Sequence, residues 1–308
     1  MILIITHKQD FTADFVIEKL NERDIKYFRL NCEDINKYNY SFTNSSDFKF
    51  SINGIAEFNS VWFRRTKLPE IETSNKGQQL FLLGDYETLF DNAFILIDSK
   101  RWLSHPSFVY KAENKIYQLK LAKSLGFNVP ETIVANNHKE LKDFIILNNE
   151  DVIIKPIRQG RINLEDGVKT IFTNQIDKTV IDNILHYDLT PCIIQNNILK
   201  DYELRITIVG DKVFSAKVNS QENKNTITDW RKEKNPFLKY NLPIEIEQKC
   251  IQLTKKLNIS FGAIDLVRDK NGNYIFLEIN PNGQWAWIEM ETGLKISDEI
   301  INYLTEII

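Results

Sequence analysis

The segment GAIDLVRDKNGNYIFLEINPNG, residues 262–283, gives the clearest structural signal in the chain, because it contains two apolar strands joined through an Asn-Gly turn. Side chains two apart in a strand share a face. Glu278 and Asn280 are therefore predicted to point together, while Leu277 and Ile279 are predicted to face the core. The segment indicates a β-hairpin with one polar face.

The polar face of this hairpin suggests a metal site. Asp265 lies on the first strand, so its carboxylate, that of Glu278 and the amide oxygen of Asn280 would converge across the hairpin. Such hard oxygen donors suit Mg²⁺ when nucleotide phosphates and water complete its coordination shell. The alternative is an alternating strand whose polar face is only hydrated.

The strand before the hairpin has a second polar face. It alternates apolar residues with four polar ones: Asp201, Glu203, Arg205 and Thr207. The planar guanidinium of Arg205 suits a transferring phosphoryl group, since it can bind two oxygens as negative charge develops. The alternative is a solvated face with cross-strand ion pairs.

Two lysines upstream could neutralise phosphates. Lys115 lies at the start of the second unit of the chain, and Lys155 ends an apolar strand before Pro156. Gly160 and Gly167 flank a segment that could fold over phosphates. The glycines of this segment do not have the spacing of a Walker A motif, so it is not a P-loop.

The first part of the chain predicts an open α/β domain. A strand at 2–5, a helix at 11–22 and a strand at 27–30 form a β-α-β unit, followed by a strand at 60–65 that ends in Arg64 and Arg65. A helix is expected at 80–97. Residues 1–110 are close to the usual size of a domain.

The rest of the chain predicts further strands and helices. We expect a helix at 112–125 and a hairpin of strands 204–208 and 212–218, whereas the polar segment 219–240 is predicted to be irregular and mobile. Another amphipathic helix is expected at 244–257.

The order of these features resembles the ATP-grasp fold along residues 111–308. The resemblance implies an α/β (α+β ATP-grasp) architecture with a Rossmann-like N-terminal domain at 1–110, a central subdomain at 111–195 and a C-terminal catalytic subdomain at 196–308. The implied ligands are ATP and Mg²⁺. The implied roles are phosphate contacts from Lys115 and Lys155, adenine binding along Gln195, Asn197 and Ile198, ribose contact by Glu203, γ-phosphate contact by Arg205, and magnesium binding by Asp265, Glu278 and Asn280.

A narrower resemblance spans nearly the whole chain. Four motifs are similar to those of the graspetide (microviridin-type) ribosomal peptide macrocyclases: VWFRR at 61–65, ELRITIVG at 203–210, DWR at 229–231 and NPNGQW at 280–285. These enzymes phosphorylate Asp or Glu side chains of a precursor peptide, made of leader and core, and close ω-ester links to Ser or Thr or ω-amide links to Lys. A homodimer is common in the family.

The resemblance also suggests residues for the peptide carboxylate. Arg231, beside Asp229, and the pair Arg64 and Arg65 could orient it. The alternatives are inter-domain ion pairing for Arg64 and Arg65 and, for 229–231, a surface loop anchored by Trp230.

Composition limits the remaining possibilities. The 39 basic and 42 acidic residues of the 308 give a net charge of −3, which predicts no nucleic-acid or membrane partner. Three cysteines without metal-like spacing suggest a reducing, cytoplasmic setting. Two other functions stay open: a ligase adding free amino acids to a protein or small-molecule carboxylate, and a non-catalytic ATP-binding scaffold.

Overall fold

A computed structural model describes residues 1–45, 48–158, 160–164, 167–184 and 191–306, with the backbone alone at 161–164, 167 and 168. The strands are β1 (Ile2–Thr6), β2 (Tyr27–Asn31), β3 (Tyr40–Thr43), β4 (Lys49–Ile52), β5 (Ser60–Phe63), β6 (Trp102–Leu103), β7 (Thr132–Ile133), β8 (Val152–Pro156), β9 (Arg161–Leu164), β10 (Gly167–Thr170), β11 (Asn174–Gln175), β12 (Cys192–Asn196), β13 (Lys200–Val209), β14 (Lys212–Val218), β15 (Phe237–Lys239), β16 (Phe261–Asp269) and β17 (Tyr274–Asn280).

The helices lie between groups of these strands and after the last one. They are α1 (Phe11–Glu22), α2 (Lys76–Leu96), α3 (Pro106–Ala112), α4 (Lys115–Ser124), α5 (His138–Leu147), α6 (Lys178–Asp182), α7 (Ile244–Lys256), α8 (Ala286–Thr292) and α9 (Ile296–Thr305). Within the described part of the chain, no helix has the length and apolar character needed to cross a bilayer.

The N-terminal sheet is parallel and has the order β2-β1-β5-β6. Every residue of β1 is buried, as expected for a strand covered on both faces. Asp10 begins α1 by accepting hydrogen bonds from the backbone amides of Thr12 and Ala13.

The second sheet is antiparallel, in the order β11-β8-β12-β7, and packs α5 and α6 on one face. The opposite face carries Lys155, whose register partner is Ile193, and Gln195, whose partner is Ile153. Paired residues point to the same side of a sheet. Lys155 and Gln195 therefore share the face that α5 and α6 leave uncovered.

The third sheet is antiparallel, in the order β15-β14-β13-β16-β17. Its apolar face packs on α4 and α7 through a core that includes Leu204, Ile206, Ile264, Leu266 and Phe276. A separate core cluster joins this half to the N-terminal sheet, since Ile2, Ile4 and Val16 pack with Val209 and Phe261. The N-terminal and C-terminal parts of the chain thus share one apolar interior.

Several element predictions need correction. The strand at 60–65 stops at Phe63, and the helix predicted at 112–125 begins only at Lys115 as α4, because α3 ends at Ala112 and Asn114 has an extended backbone. The segment 219–240 is not wholly irregular, since it contains β15, which pairs with β14. In the glycine-flanked segment, β9 and β10 pair in antiparallel fashion, and residues 165–166 lie outside the described residues.

Candidate active site

Three neighbouring strands bring an arginine and two carboxylates into one row. Arg205 on β13 pairs in register with Asp265 on β16, which pairs with Glu278 on β17. The Arg205 Nη1 atom lies 2.8 Å from Asp265 Oδ1 and 3.0 Å from Oδ2. Asn280 lies in the next row, opposite Ala263. The polar faces predicted for two separate strands therefore form one continuous surface.

A β-bulge shapes the end of this row. Asp265 pairs with Glu278 and Leu266 pairs with Phe276, so Leu277 is the extra residue. The bulge reverses the alternation before Glu278: Phe276 is buried in the core, whereas Leu277 is only half-buried. The prediction that Leu277 faces the core is wrong, because strict alternation assumes a regular ladder.

Lys115 is placed over the row by the start of α4. Its Nζ atom lies 3.2 Å from Glu278 Oε2. Gln118, one turn later, fixes α4 against β17: its Nε2 donates to the carbonyl of Ile279 and its Oε1 accepts from the Ile279 amide. Sequence reasoning missed Gln118, because a glutamine in a helix gives no signal of a bond to a distant strand.

The row lies among several positive charges, and their effects on its acids differ. Burial raises the pKa of Glu278, but Lys115, Lys155 and Arg231 outweigh burial and lower this pKa to about 2. Burial raises the pKa of Asp265, and the nearby Glu278 adds to the rise against the lowering effect of Arg205. Burial lowers the pKa of Lys155 to about 8, even though Glu278 opposes this shift. These groups form a densely charged, partly desolvated cluster.

Arg231 joins the cluster from the segment before β15. It forms a two-pronged ion pair with the buried Asp229, with Nε–Oδ1 at 2.8 Å and Nη2–Oδ2 at 2.6 Å. Asp229 Oδ2 also accepts a hydrogen bond, at 3.3 Å, from the backbone amide of Thr173. Thr173 lies in the segment between β10 and β11. The hydrogen bonds that Arg231 donates to Asp229 raise the pKa of Arg231. Asp229 thus connects the Arg231 segment to the second sheet.

The residues predicted to hold adenine and ribose lie where β12 leads into β13. Gln195 is fully buried and its Nε2 donates to Thr132 Oγ1 at 2.8 Å, while Thr132 Oγ1 donates to the Pro130 carbonyl. This chain of bonds fixes the amide orientation and leaves Gln195 Oε1 buried without a hydrogen-bond partner among the described residues. Asn197 donates to Asp151 Oδ1 at 3.0 Å, and Ile198 is half-buried.

Glu203 lies at the start of β13. Its carboxylate accepts from Lys200 Nζ at 3.0 Å, and Lys200 also donates to the carbonyl of Thr228. Burial raises the pKa of Glu203 despite its pairing with Lys200.

The two arginines after β5 have different surroundings. The side chain of Arg64 is 1% exposed and pairs with Asp10, whose side chain is 0% exposed, at 3.3 Å. Arg65 instead reaches the third sheet, where its Nη2 donates to the carbonyl of Asn282 at 3.3 Å. The surroundings of Arg64 favour a structural role within the N-terminal domain, and those of Arg65 favour contact between domains.

The donor set fits a hard cation. In the described part of the chain, no three His, Cys, Asp or Glu side chains group as a metal site, so the candidate set is two carboxylates and the Asn280 amide. Oxygen donors without sulfur or imidazole suit Mg²⁺. The buried, unpartnered acceptor of Gln195 on the same sheet face as Lys155 is likewise consistent with a ligand that brings a donor.

Comparison with known proteins gives the class of this fold and site. A model of the RimK-like ATP-grasp domain matches residues 112–304, and the chain belongs to this family of ADP-forming carboxylate ligases. The prediction of an α/β ATP-grasp enzyme is thereby confirmed.

Three similar proteins show how far the likeness extends along the chain. The alpha-aminoadipate–LysW ligase LysX of Sulfurisphaera tokodaii is 26% identical over 71% of this chain and 75% of its own. The macrocyclase MdnC from Microcystis aeruginosa, solved with precursor peptide MdnA, matches 99% of both chains at 27% identity with a TM-score of 0.87. A Chryseobacterium gregarium RiPP-associated ATP-grasp ligase, solved with ADP and a leader and core peptide, is 28% identical. The match covers 98% of this chain and 96% of the ligase chain, with a TM-score of 0.85.

Proposed function

We propose that this protein is an ATP-dependent peptide macrocyclase. It would phosphorylate Asp or Glu side chains of a ribosomal precursor peptide and close ω-ester links to Ser or Thr, or ω-amide links to Lys. The observation that carries the proposal is the likeness to MdnC over nearly the full length of both chains, including the N-terminal domain that the family model does not match.

The charge arrangement supports phosphoryl transfer to a carboxylate. Bound ATP and Mg²⁺ would supply the phosphoryl group and its charge neutralisation. Lys115 and Lys155 would hold phosphates, and Arg205 would stabilise the charge that develops on the transferring group. Asp265, Glu278 and Asn280 would hold magnesium.

The remaining residues would bind the nucleotide and orient the peptide. Gln195, Asn197 and Ile198 would line the adenine site, with Glu203 near the ribose. Arg231, aligned by Asp229, would orient the peptide carboxylate for attack. We assign Arg65 to the same region, whereas the burial of Arg64 favours support of the N-terminal domain.

We further propose domain boundaries near residues 110 and 195. The first lies in α3, between the first and second sheets, and the second lies in β12, the last strand of the second sheet along the chain. The partners would be a precursor peptide with leader and core and a second copy of the chain. A reducing, cytoplasmic setting would suit the free cysteines Cys32, Cys192 and Cys250.

Mass spectrometry tests the function directly. The protein is incubated with ATP, magnesium and a candidate precursor rich in Thr and Asp or Glu, and each link should remove one water, about 18 Da. A matched reaction without ATP is the control. Absence of mass loss across candidate precursors, with ADP formed on other carboxylates, would contradict the proposal.

A second function is addition of a free amino acid to a carboxylate. The likeness to the alpha-aminoadipate–LysW ligase favours it. The same experiment with amino acids added separates the two, because addition increases the acceptor mass whereas cyclisation decreases it.

A further inference from the structure

Arg205 lies against a short loop, here called the 282–284 loop, that follows β17. Its Nη2 donates to the carbonyl of Gln284 at 3.3 Å. A Cβ atom added at Gly283 would lie 2.8 Å from Arg205 Nη2 and 2.4 Å from the Cβ of Ala263. The loop therefore forms one wall of the space that holds the guanidinium, and glycine is required where the contact is closest.

The N-terminal domain holds both ends of this loop. Arg65 donates to the carbonyl of Asn282, and Thr12 Oγ1 donates to Gln284 Oε1. The next residue, Trp285, is fully buried beside Phe15, with ring centroids 6.1 Å apart. The loop is thus fixed from outside the ATP-grasp region.

Thr12 is itself held firmly. Asp10 accepts from the Thr12 amide at 3.1 Å and from the Thr6 hydroxyl at 2.8 Å, and it pairs with Arg64. All four residues are at most 2% exposed. A buried, fully bonded network at the start of α1 gives the Thr12 hydroxyl one position relative to the third sheet.

We infer that Thr12 and Gln284 are positioning residues for Arg205. The N-terminal domain, through the Thr12–Gln284 hydrogen bond, keeps the 282–284 loop against the guanidinium and so directs it toward the transferring phosphoryl group. The role given to Arg205 rests on the proposed function.

Arg205 has spare donor capacity that fits this role. Its Nη1 bonds to Asp265 and its Nη2 to the loop, while Nε is buried without a partner among the described residues. A buried arginine donor without an acceptor is costly, so a ligand oxygen there would be favoured.

The test compares the affinities of two nucleotides. For the wild type, the ratio of AMPPNP affinity to ADP affinity reports contacts to the terminal phosphate without turnover. Thr12→Val should reduce this ratio about tenfold, the loss expected when one hydrogen bond no longer aligns a donor, with ADP affinity unchanged. Thr12→Ser, which keeps the hydroxyl, should restore the ratio.

Two further variants make the result specific. Gln284→Ala removes the same bond from the other side and serves if Thr12→Val unfolds. Thr88→Val, which removes an exposed hydroxyl from α2 of the same domain, is the matched control. In an Arg205→Ala background, Thr12→Val should have no further effect on the ratio, because the group it positions is gone.

An unchanged ratio of AMPPNP to ADP affinity in folded Thr12→Val and Gln284→Ala would overturn the inference. It would also be overturned if Thr12→Val reduced this ratio as much in the Arg205→Ala background as in the wild type. Failure of the proposed function is a different result: the wild type would then modify no peptide, while the nucleotide ratios remain measurable. Where turnover is present, kcat/KM for ATP should fall in Thr12→Val, because contact with the terminal phosphate is weakened.

Discussion

Lys155 is buried and belongs to the proposed nucleotide site, so its titration should be visible in nucleotide binding. Burial lowers its pKa to about 8, and phosphates nearby would raise this pKa again by favouring the charged form. Since the ammonium is lost as pH rises through this value, nucleotide affinity should fall between about pH 7 and about pH 9. Calorimetry in two buffers should detect uptake of about half a proton per nucleotide at pH 8.

The control for Lys155 is Lys155→Arg, which keeps a charge that does not titrate in this range. This variant should bind nucleotide without proton uptake and with a flat pH dependence. Equal uptake by the variant and the wild type would assign the proton to another group.

Residue types and spacing were enough to predict that Arg205, Asp265 and Glu278 lie on polar strand faces, because side chains alternate along a strand. Residue types and spacing did not predict the hydrogen bonds of Gln118 or Thr12. Each of these two residues makes its decisive hydrogen bond to a residue more than 150 positions away in the chain. Local patterns carry no information about such contacts.

Among the strands, β17 supplies two of the three predicted cation ligands and should be tested as a unit. The double variant Glu278→Gln with Asn280→Ala should weaken magnesium-dependent nucleotide binding, since it removes one carboxylate and one amide oxygen from the set. The measurement is nucleotide affinity with and without magnesium.

Asp269→Asn is the control, because this carboxylate lies at the far end of the same hairpin and bonds only to the turn in the contacts described. The double variant retaining the wild-type magnesium dependence, with the control unchanged, would remove β17 from the metal site.

Most elements were predictable where apolar periodicity was strong, as in the hairpin of β13 and β14. Two of the errors fall where a local irregularity interrupts a pattern. The bulge at Leu277 shifts the alternation by one residue, and the extended backbone of Asn114 delays the start of the helix predicted at 112–125. Such local irregularities depend on tertiary contacts that a single sequence does not reveal.

For the whole molecule, the shared core implies joint unfolding of its first and last parts. Trp285 is fully buried in the cluster that contains Ile2, Val16 and Phe261. Trp285→Ala should lower the free energy of unfolding by about 3–5 kcal/mol, as expected for a large side chain removed from a packed core. Urea denaturation followed by circular dichroism would measure this loss.

Trp287→Ala is the matched control, since Trp287 is only half-buried and packs on Trp230 and Phe237 in a separate cluster. Its cost should be clearly smaller. Equal costs for the two variants would argue against a common core between the two ends of the chain.

The ion pairs that cover Asp265 and Glu278 have a consequence for the order of loading. In the resting protein both acids already have internal counter-ions, Arg205 and Lys115. A divalent ion without nucleotide must compete with Arg205 and Lys115 for the two carboxylates. The phosphates of a nucleotide would instead pair with Arg205 and Lys115 and leave the carboxylates free to bind the metal. Magnesium should therefore bind weakly by itself and strongly with nucleotide, which a magnesium titration under both conditions would reveal. The nucleotide-free protein would therefore bind few metal ions.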